Sequence, residues 1–250
     1  MRTALLALAT LAASAAPSAR ADGFGPGEET VFAVSFLSIP TGEARIRVGQ
    51  PEGDIWPVIL QARTGGAAKL LDIREHLVAY WDVARRLSRG SDLQAYEVGD
   101  VHSDSARFDP AGGKVTVIER RRGHAPQEKV LDVPAGALDL TGAFVWLRLQ
   151  DLEVGRRFEV PIVTGTSQFV LLAEVLAREV VSTPAGLFPS FKIKIRTGLD
   201  GKFASRRDTV LWLAESSGHH LVRAAAEFVV GSVVAELTSY HPGDQVAAAE

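Results

Sequence analysis

The hexapeptide FKIKIR, residues Phe191 to Arg196, alternates apolar and cationic side chains without a break. Because successive side chains of a β-strand point to opposite faces, this period of two predicts a strand with one buried and one solvated face. An α-helix would scatter the same apolar residues around its axis. The stretch therefore predicts a sheet that covers a core on one side.

Similar alternation recurs between short runs that favour turns. "TVFAVSFLSI", a turn at Pro40 to Gly42, and "EARIRV" predict a β-hairpin, and in the next strand, "DIWPVILQART", Pro57 favours an edge position or a bulge. "IREHLVAYWDVA" fits either a helical stripe or a strand, and its Tyr80 and Trp81 favour the strand. Further strands are predicted in "DLQAYEV", "VHSDSARFD", "KVTVIERR", "RRFEVPIV", "SQFVLLAEVLAREVV", "LFPSFKIKIRT" and "DTVLWLAE".

One segment breaks the alternation and predicts a short helix around residues 139–149. "DLTGAFVWLRLQDL" is too continuously apolar for a half-solvated strand, and Asp139 is suited to cap a helix N-terminus. Such a helix would pack on the sheet and bury Leu140, Phe144 and Leu147. We therefore predict a mainly β fold, a single-domain antiparallel sheet curled into an open β-barrel or sandwich with this one helix.

The last predicted strand, "LVRAAAEFVVGSVVAEL", changes phase along its length. Its apolar residues occupy even positions before Gly231–Ser232 and odd positions after it. A shift of one residue moves side chains to the other face of a sheet, so the pattern predicts a β-bulge or tight bend at Gly231–Ser232.

The N-terminal sequence "MRTALLALATLAASAAPSARADG" has the order of a Sec-type signal peptide. Arg2 precedes an apolar stretch, and Ala19 and Ala21 form an A-x-A cleavage site. The apolar stretch is shorter than the roughly 20 residues that a membrane-spanning helix needs. We expect cleavage after Ala21 and a periplasmic protein that does not span the membrane, with secretion as the alternative.

No linker or repeat interrupts the rest of the chain. The expected layout is a signal peptide at 1–21, an N-terminal tail at 22–29, one β-rich domain at 30–240 and a C-terminal tail at 241–250. The sequence has no cysteine, which excludes disulfides, thiolate zinc sites and a lipidated cysteine. Its formal net charge of −3 argues against binding to nucleic acid.

The order of several segments resembles a bacterial exported family known as domain of unknown function 3108. The matching segments are "GEETVFAVSFLSIPTGEARIRV", "REHLVAYWD", "FDPAGGKVTV", "DLTGAFVWLR", "AREVVSTPAG" and "LWLAESSGHHLVRAAAEFVVGSVVAELTSY". The resemblance implies an exported β-rich domain with no established activity, cofactor or catalytic residues. The family-matching or structural positions are Gly42, Asp139, Thr141, Arg148, Glu179, Gly186, Trp212, Glu215, Gly231 and Ser232. Where the family has two adjacent acids, this chain keeps only Glu215, followed by two serines.

Candidate metal ligands are few, and the sequence predicts no metal site. The six histidines are His76, His102, His124, His219, His220 and His241, and none shows the HExxH spacing of a helical zinc site. Three histidines from different strands could still meet inside a barrel. The adjacent His219 and His220 follow a predicted hairpin turn at Ser216 to Gly218, and a strand starting at His219 would point them to opposite faces.

Candidate catalytic groups are equally sparse, and we assign no catalytic or cofactor-binding residue. His102 and Asp104 share a strand face near Asp109, but no G-x-S-x-G nucleophile motif exists. Glu97 and Asp100 flank a turn, where acids are common. "GFGPGE" lacks the preceding strand and following helix of a phosphate-binding loop. The basic run Arg120 to Arg122 could touch anionic lipid headgroups.

Three functional hypotheses remain from the sequence. The first is a non-enzymatic periplasmic protein whose concave sheet binds an apolar, lipid-like or envelope-derived ligand. The second is an envelope assembly or protein-interaction factor that uses exposed sheet edges to pair with an envelope protein. The third is a hydrolase with scattered catalytic residues, which would need a deep polar pocket with His102 or His219 beside a carboxylate.

Overall fold

Alternating segments form antiparallel strands in the computed structural model of the protein. It describes residues 24–66, 68, 72–97, 100–109, 111, 113–197, 209–216, 218–228 and 231–244. The elements in these ranges are β1 (Glu29–Phe36), β2 (Ile39–Val48), β3 (Ile55–Thr64), β4 (Arg74–Asp82), β5 (Leu87–Glu97), β6 (Asp100–Asp109), β7 (Lys114–Arg121), β8 (Gln127–Asp132), α1 (Leu140–Arg148), β9 (Arg157–Thr164), β10 (Ser167–Thr183), β11 (Gly186–Thr197), β12 (Thr209–Ala214), β13 (Leu221–Phe228) and β14 (Gly231–His241).

The strands in the described ranges form one 14-stranded antiparallel sheet. Its order is β8-β7-β6-β5-β4-β3-β2-β1-β14-β13-β12-β11-β10-β9, so two meanders are joined where β1 pairs with β14. The terminal strands β8 and β9 do not pair with each other, which leaves the sheet open. The predicted open antiparallel sheet with one short helix is confirmed.

The connection from β8 to α1 draws the two ends of the sheet together. The amide of Leu138 donates to Pro161 O, and the amide of Val163 donates to Leu138 O, each at 2.9 Å. These bonds form one parallel bridge to the free edge of β9. Ala137 and Val163 also pack with Val115 and Val117 of β7, so apolar burial curls the sheet toward closure.

Helix α1 lies inside the curled sheet and contributes to two core clusters. Leu147 packs with residues of β10, β11 and β14, whereas Ala143 and Val145 pack with residues of β2, β3 and β4. The ring of Trp146 meets that of Phe158 edge to face, with centroids 5.9 Å apart. Within the described ranges, no helix has the length and apolar character that crossing a membrane requires.

The first hairpin is confirmed, but its predicted turn is wrong. The chain reverses at Leu37 and Ser38, whose φ angles of 51° and 65° suit a two-residue hairpin turn. Gly42 instead lies within β2, where β3 passes so close that a Cβ would lie 2.3 Å from Arg63 O. The inward packing of Phe32 opposite Ala44 therefore sets the register between β1 and β2. It outweighs the preference of Pro40 and Gly42 for a turn.

Two other local predictions are corrected. Pro57 lies in β3, which is an interior strand. The pairing of β3 with β2 ends at Val58, so Pro57 lies outside that ladder and its missing N–H interrupts no hydrogen bond in it. Gly231 begins β14, and its partner Phe228 ends β13, so the chain passes to a new antiparallel strand where we predicted a bulge or tight bend within one strand. The change of apolar phase therefore reflects a strand reversal.

Candidate ligand-binding cavity

The inner face of the sheet carries a cross-strand row of side chains that lines a cavity. The row consists of Ile46, Leu60, Leu77, Leu93 and Asp104, each paired with the next across β2 to β6. All five line a cavity of about 380 Å³. This volume falls within the roughly 300–1,000 Å³ typical of small-molecule sites.

The alanines of the adjoining row leave room for this cavity. Phe32, Ala44 and Ala62 are successive cross-strand partners on the same inner face, and all three line the space. A Phe at Ala62 would place a ring where the methyl now stands. The interior of the curled sheet is therefore incompletely filled, although α1 occupies part of it.

The start of α1 forms another side of the cavity. Leu140, expected to be buried, is 48% exposed because it lines this space, while Leu147 is buried and Phe144 half-buried. Asp139 is the predicted N-cap: its Oδ1 accepts from the amide of Gly142 at 2.9 Å. Burial raises the pKa of Asp139, although nearby amides and Ser88 oppose the shift.

Asp104 places an acid at the end of the apolar row. Its Oδ1 is buried and, among the described residues, has no hydrogen-bond partner. Burial raises the pKa of Asp104; the nearby His102 and Arg121 lower it, and Glu119, its partner on β7, raises it further. A buried acceptor without a donor is costly unless a ligand or water supplies one.

A buried ion pair lies at the opposite end of α1. Arg148 Nη2 donates to Glu28 Oε1 at 2.7 Å, and its Nε donates to Gly218 O at 2.8 Å. Both charged side chains are only 3% exposed. The guanidinium also lies over the rings of Phe24 and Phe144, at 4.9 and 5.6 Å from their centroids. Burial raises the pKa of Glu28, whereas Arg148 opposes that shift.

The two histidines of the β12–β13 turn have separate surroundings. The strand begins at Leu221, so the premise that it starts at His219 is wrong. His219 Nδ1 donates to Ala214 O at 2.8 Å, whereas His220 stacks on Tyr240 with ring centroids 3.8 Å apart. Burial lowers the pKa of His220 to about 4, with further lowering from Arg148 and His219. His220 is therefore neutral at pH 7.

A group of family-matching residues lies on the outer face. Trp212 Nε1 donates to Glu179 Oε1 at 2.5 Å, and Lys192 lies over the indole ring at 5.3 Å. Glu215 is exposed and lies 3.6 Å from Arg178 Nε. A depression of about 560 Å³ beside Trp212 also contains the ion pair of Arg223 and Glu236.

The remaining family-matching positions lie at turns or on the cavity wall. Thr141 is buried and lines the cavity. Gly186 opens β11 with a φ of 132°. At Gly231 a Cβ would lie 2.5 Å from Leu37 Cδ2, and Ser232 O accepts from the amide of Leu37. That these family-matching positions matter for function stays a prediction.

Among the described residues, the other catalytic and anionic groups considered from the sequence are not brought together as complete sites. His102 and Asp104 share the inner face, but Asp109 is exposed at the far end of β6. Glu97 and Asp100 are paired, exposed residues where β5 meets β6. Among the described residues, no three His, Asp or Glu side chains are grouped to hold a metal ion.

Two further sequence candidates lie at the surface or near the N-terminus. In "GFGPGE" the amides of Gly27 and Glu28 already donate to Val48 O and Gly25 O, so they do not face a phosphate. Arg120 to Arg122 are exposed at the end of β7. The predicted signal peptide lies outside the described residues.

The match to a sequence family is decisive. The model for "Protein of unknown function (DUF3108)" matches residues 31–238. The chain belongs to the DUF3108 family. No curated protein matches it.

Among solved structures, this DUF3108 chain resembles a beta-barrel-like protein of domain of unknown function DUF1849 from Brucella abortus. The identity is 8% and the TM-score 0.61, over 90% of this chain and 100% of that one, so the likeness shows a shared fold. Two weaker matches are a candidate exported protein with a YmcC-like fold from Bacteroides fragilis and a candidate lipoprotein from Parabacteroides distasonis. Each is 12% identical over 88% of this chain and 99% of the other, with TM-scores of 0.41 and 0.33.

Proposed function

We propose that this DUF3108 protein binds an apolar molecule inside its curled sheet. The cavity of about 380 Å³, walled by Ile46, Leu60, Leu77 and Leu93, carries the proposal. Water in such a space gains few hydrogen bonds from aliphatic walls, so an apolar occupant that displaces it is favoured. The signal-peptide-like sequence of residues 1–21 supports export to the periplasm, where envelope lipids or their fragments would be available.

Binding can be tested with the uncharged apolar fluorophore N-phenylnaphthylamine. We expect its fluorescence to rise and saturate when the purified protein is added. In Ala62→Phe the new ring occupies the cavity, and we expect about tenfold or greater loss of affinity. The matched control is Ala84→Phe, which adds the same ring at an exposed turn and should bind as the wild type does.

Circular dichroism and the urea midpoint would verify that both variants are folded. An unsaturable fluorescence response of the wild type would contradict the proposal. Equal affinity of a folded Ala62→Phe variant and the wild type would contradict it too, because binding would then lie elsewhere.

A second candidate, pairing of an envelope protein with an exposed sheet edge, is favoured by strand β8. Within the ranges that the structure describes, this strand pairs only with β7, and Val130 is 56% exposed. Its Glu128 and Lys129 are charges of the kind that natural edge strands use to limit association, so we rank this candidate second. Filling the cavity with Ala62→Phe would not impair edge pairing, which distinguishes the two functions.

A further inference from the structure

The polar end of the cavity limits what kind of apolar molecule it can hold. The aliphatic row from Ile46 to Leu93 ends at Asp104, whose Oδ1 is buried without a partner among the described residues. A carboxyl oxygen in this setting is an acceptor that lacks a donor. A ligand lying along the row would bring its terminal group to this oxygen.

The charges around the cavity are unfavourable to an anionic ligand. Among the residues that the structure describes, the charged ones lining the cavity are Glu75, Asp104, Asp139 and Arg45. Arg45, the only cation among these lining residues, already lies 3.4 Å from Glu29 and 3.8 Å from Glu43. In the described part of the chain, three acids thus face the cavity with no lining cation left to pair with an incoming carboxylate or phosphate.

The strand beyond Asp104 adds to this preference. Glu119, the β7 partner of Asp104, is a further carboxyl group on the same inner face. Arg121 on that face lies one pair further along, beside His102, and its guanidinium is 3.9 Å from Asp100. A group that donates hydrogen bonds would satisfy Asp104, whereas an anion would add repulsion to the cost of its own desolvation.

We propose that the cavity selects an apolar molecule that carries a hydrogen-bond-donating head group, a hydroxyl or an ammonium, and that this head group lies at Asp104. This selectivity rests on the proposed function, since it needs the apolar part of the ligand to occupy the cavity. Carboxylate-headed and phosphate-headed molecules with the same apolar chain are selected against.

The test compares three ligands with the same alkyl chain: decanol, decylamine and decanoate. Each is titrated at pH 7 against the protein loaded with N-phenylnaphthylamine, and its displacement constant is measured. We expect decanol or decylamine to displace the fluorophore at about tenfold lower concentration than decanoate. Stronger displacement by decylamine would identify ammonium as the preferred donor, and stronger displacement by decanol would identify hydroxyl.

The variant Asp104→Asn keeps the size of the side chain but removes its charge and one acceptor oxygen. We expect it to lose most of the preference for donor heads over decanoate, measured as the ratio of their displacement constants in the same variant, so that any change in fluorophore affinity cancels. The matched control, Asp109→Asn, changes an exposed acid on the same strand and should retain the preference.

The results separate this inference from the function on which it rests. If the fluorophore binds but decanoate displaces it as well as decanol and decylamine do, head-group selectivity is wrong and cavity binding stands. An unchanged preference in Asp104→Asn overturns the role of Asp104. If the fluorophore does not bind the wild-type protein, the proposed function fails and the inference fails with it.

Discussion

At the scale of single residues, the ion pair of Arg148 and Glu28 joins parts of the chain that are 120 positions apart. The guanidinium also binds the carbonyl of Gly218 in the β12–β13 turn. One side chain thus links the segment before β1, the end of α1 and a distant hairpin. This placement explains why an arginine occupies a buried position.

Removing the arginine should show how much an unpaired, buried Glu28 carboxylate lowers the stability of the protein. We expect Arg148→Met to lower the free energy of unfolding by about 3–5 kcal/mol, because Glu28 stays buried without its counterion. The double variant Glu28→Gln with Arg148→Met should recover part of this loss. Urea denaturation measures both.

Arg178→Met is the control for this prediction, because Arg178 pairs with Glu215 at the surface. An exposed pair contributes about 0–1 kcal/mol. Similar losses from Arg148→Met and Arg178→Met would show that burial does not govern the Arg148 pair.

His220 makes the stability of the protein depend on pH. Its pKa is about 4 in the folded protein against an ordinary value of 6.5, so between these pH values the unfolded chain binds more protons. The contribution of neutral His220 to the free energy of unfolding is fully present above pH 6.5. It falls by about 3 kcal/mol as the pH is lowered to 4. The raised pKa of Glu28 acts in the opposite sense, reducing stability as the pH rises above 4.5.

A comparison with His220→Phe isolates the histidine contribution. The variant keeps an aromatic ring against Tyr240 but cannot take up a proton. Relative to this variant, the wild type should lose about 3 kcal/mol of unfolding free energy between pH 6.5 and pH 4. The exposed His124→Gln serves as a control, and parallel pH profiles of wild type and His220→Phe would refute the assignment.

At the scale of elements, Gly142 sets how closely α1 packs on β5. A Cβ at this position would lie 2.1 Å from Ser88 Oγ, the same hydroxyl that accepts from the amide of Asp139. The helix can therefore make its N-terminal contacts only with glycine in the first turn. Gly142 lies within regular helix, so glycine is needed here for close packing and not for an unusual backbone conformation.

Adding a methyl at Gly142 should push α1 away from the sheet. We expect Gly142→Ala to lower the free energy of unfolding by about 1–3 kcal/mol. Ser88→Ala removes the clashing oxygen, so Gly142→Ala should cost less in that background. Equal costs in both backgrounds, measured by urea denaturation, would show that Ser88 is not the obstacle. Gly65→Ala is the control, because the nearest atom to its added Cβ would be Gly42 Cα, at 4.0 Å.

Most elements could be predicted from the sequence because local side-chain period reflects one-sided burial. FKIKIR and the Asp139-capped helix are examples, and both are confirmed. The turn at Leu37–Ser38 could not be predicted, because neither residue favours a left-handed backbone and distant strands set the register. The strand β8 was missed because its six residues are almost all exposed and show no burial pattern.

At the scale of the whole molecule, the cavity depends on strand order and register. Ile46, Leu60, Leu77, Leu93 and Asp104 form a row only when five strands pair in the observed register. No local pattern in the sequence carries that information. The partners of Arg148 were unpredictable for the same reason, whereas its own family-matching position was visible in the sequence.

The pairing of β1 with β14 also constrains the order in which the protein can fold. Glu29 faces His241, and Phe36 faces Val233, so the first strand meets its partner only after nearly every other strand has been synthesised. Until then β1 can pair with β2 alone and presents an open edge to any neighbouring chain. Contacts this distant in sequence slow folding. The sheet therefore cannot be completed across β1 before β14, the last strand in chain order, has been synthesised.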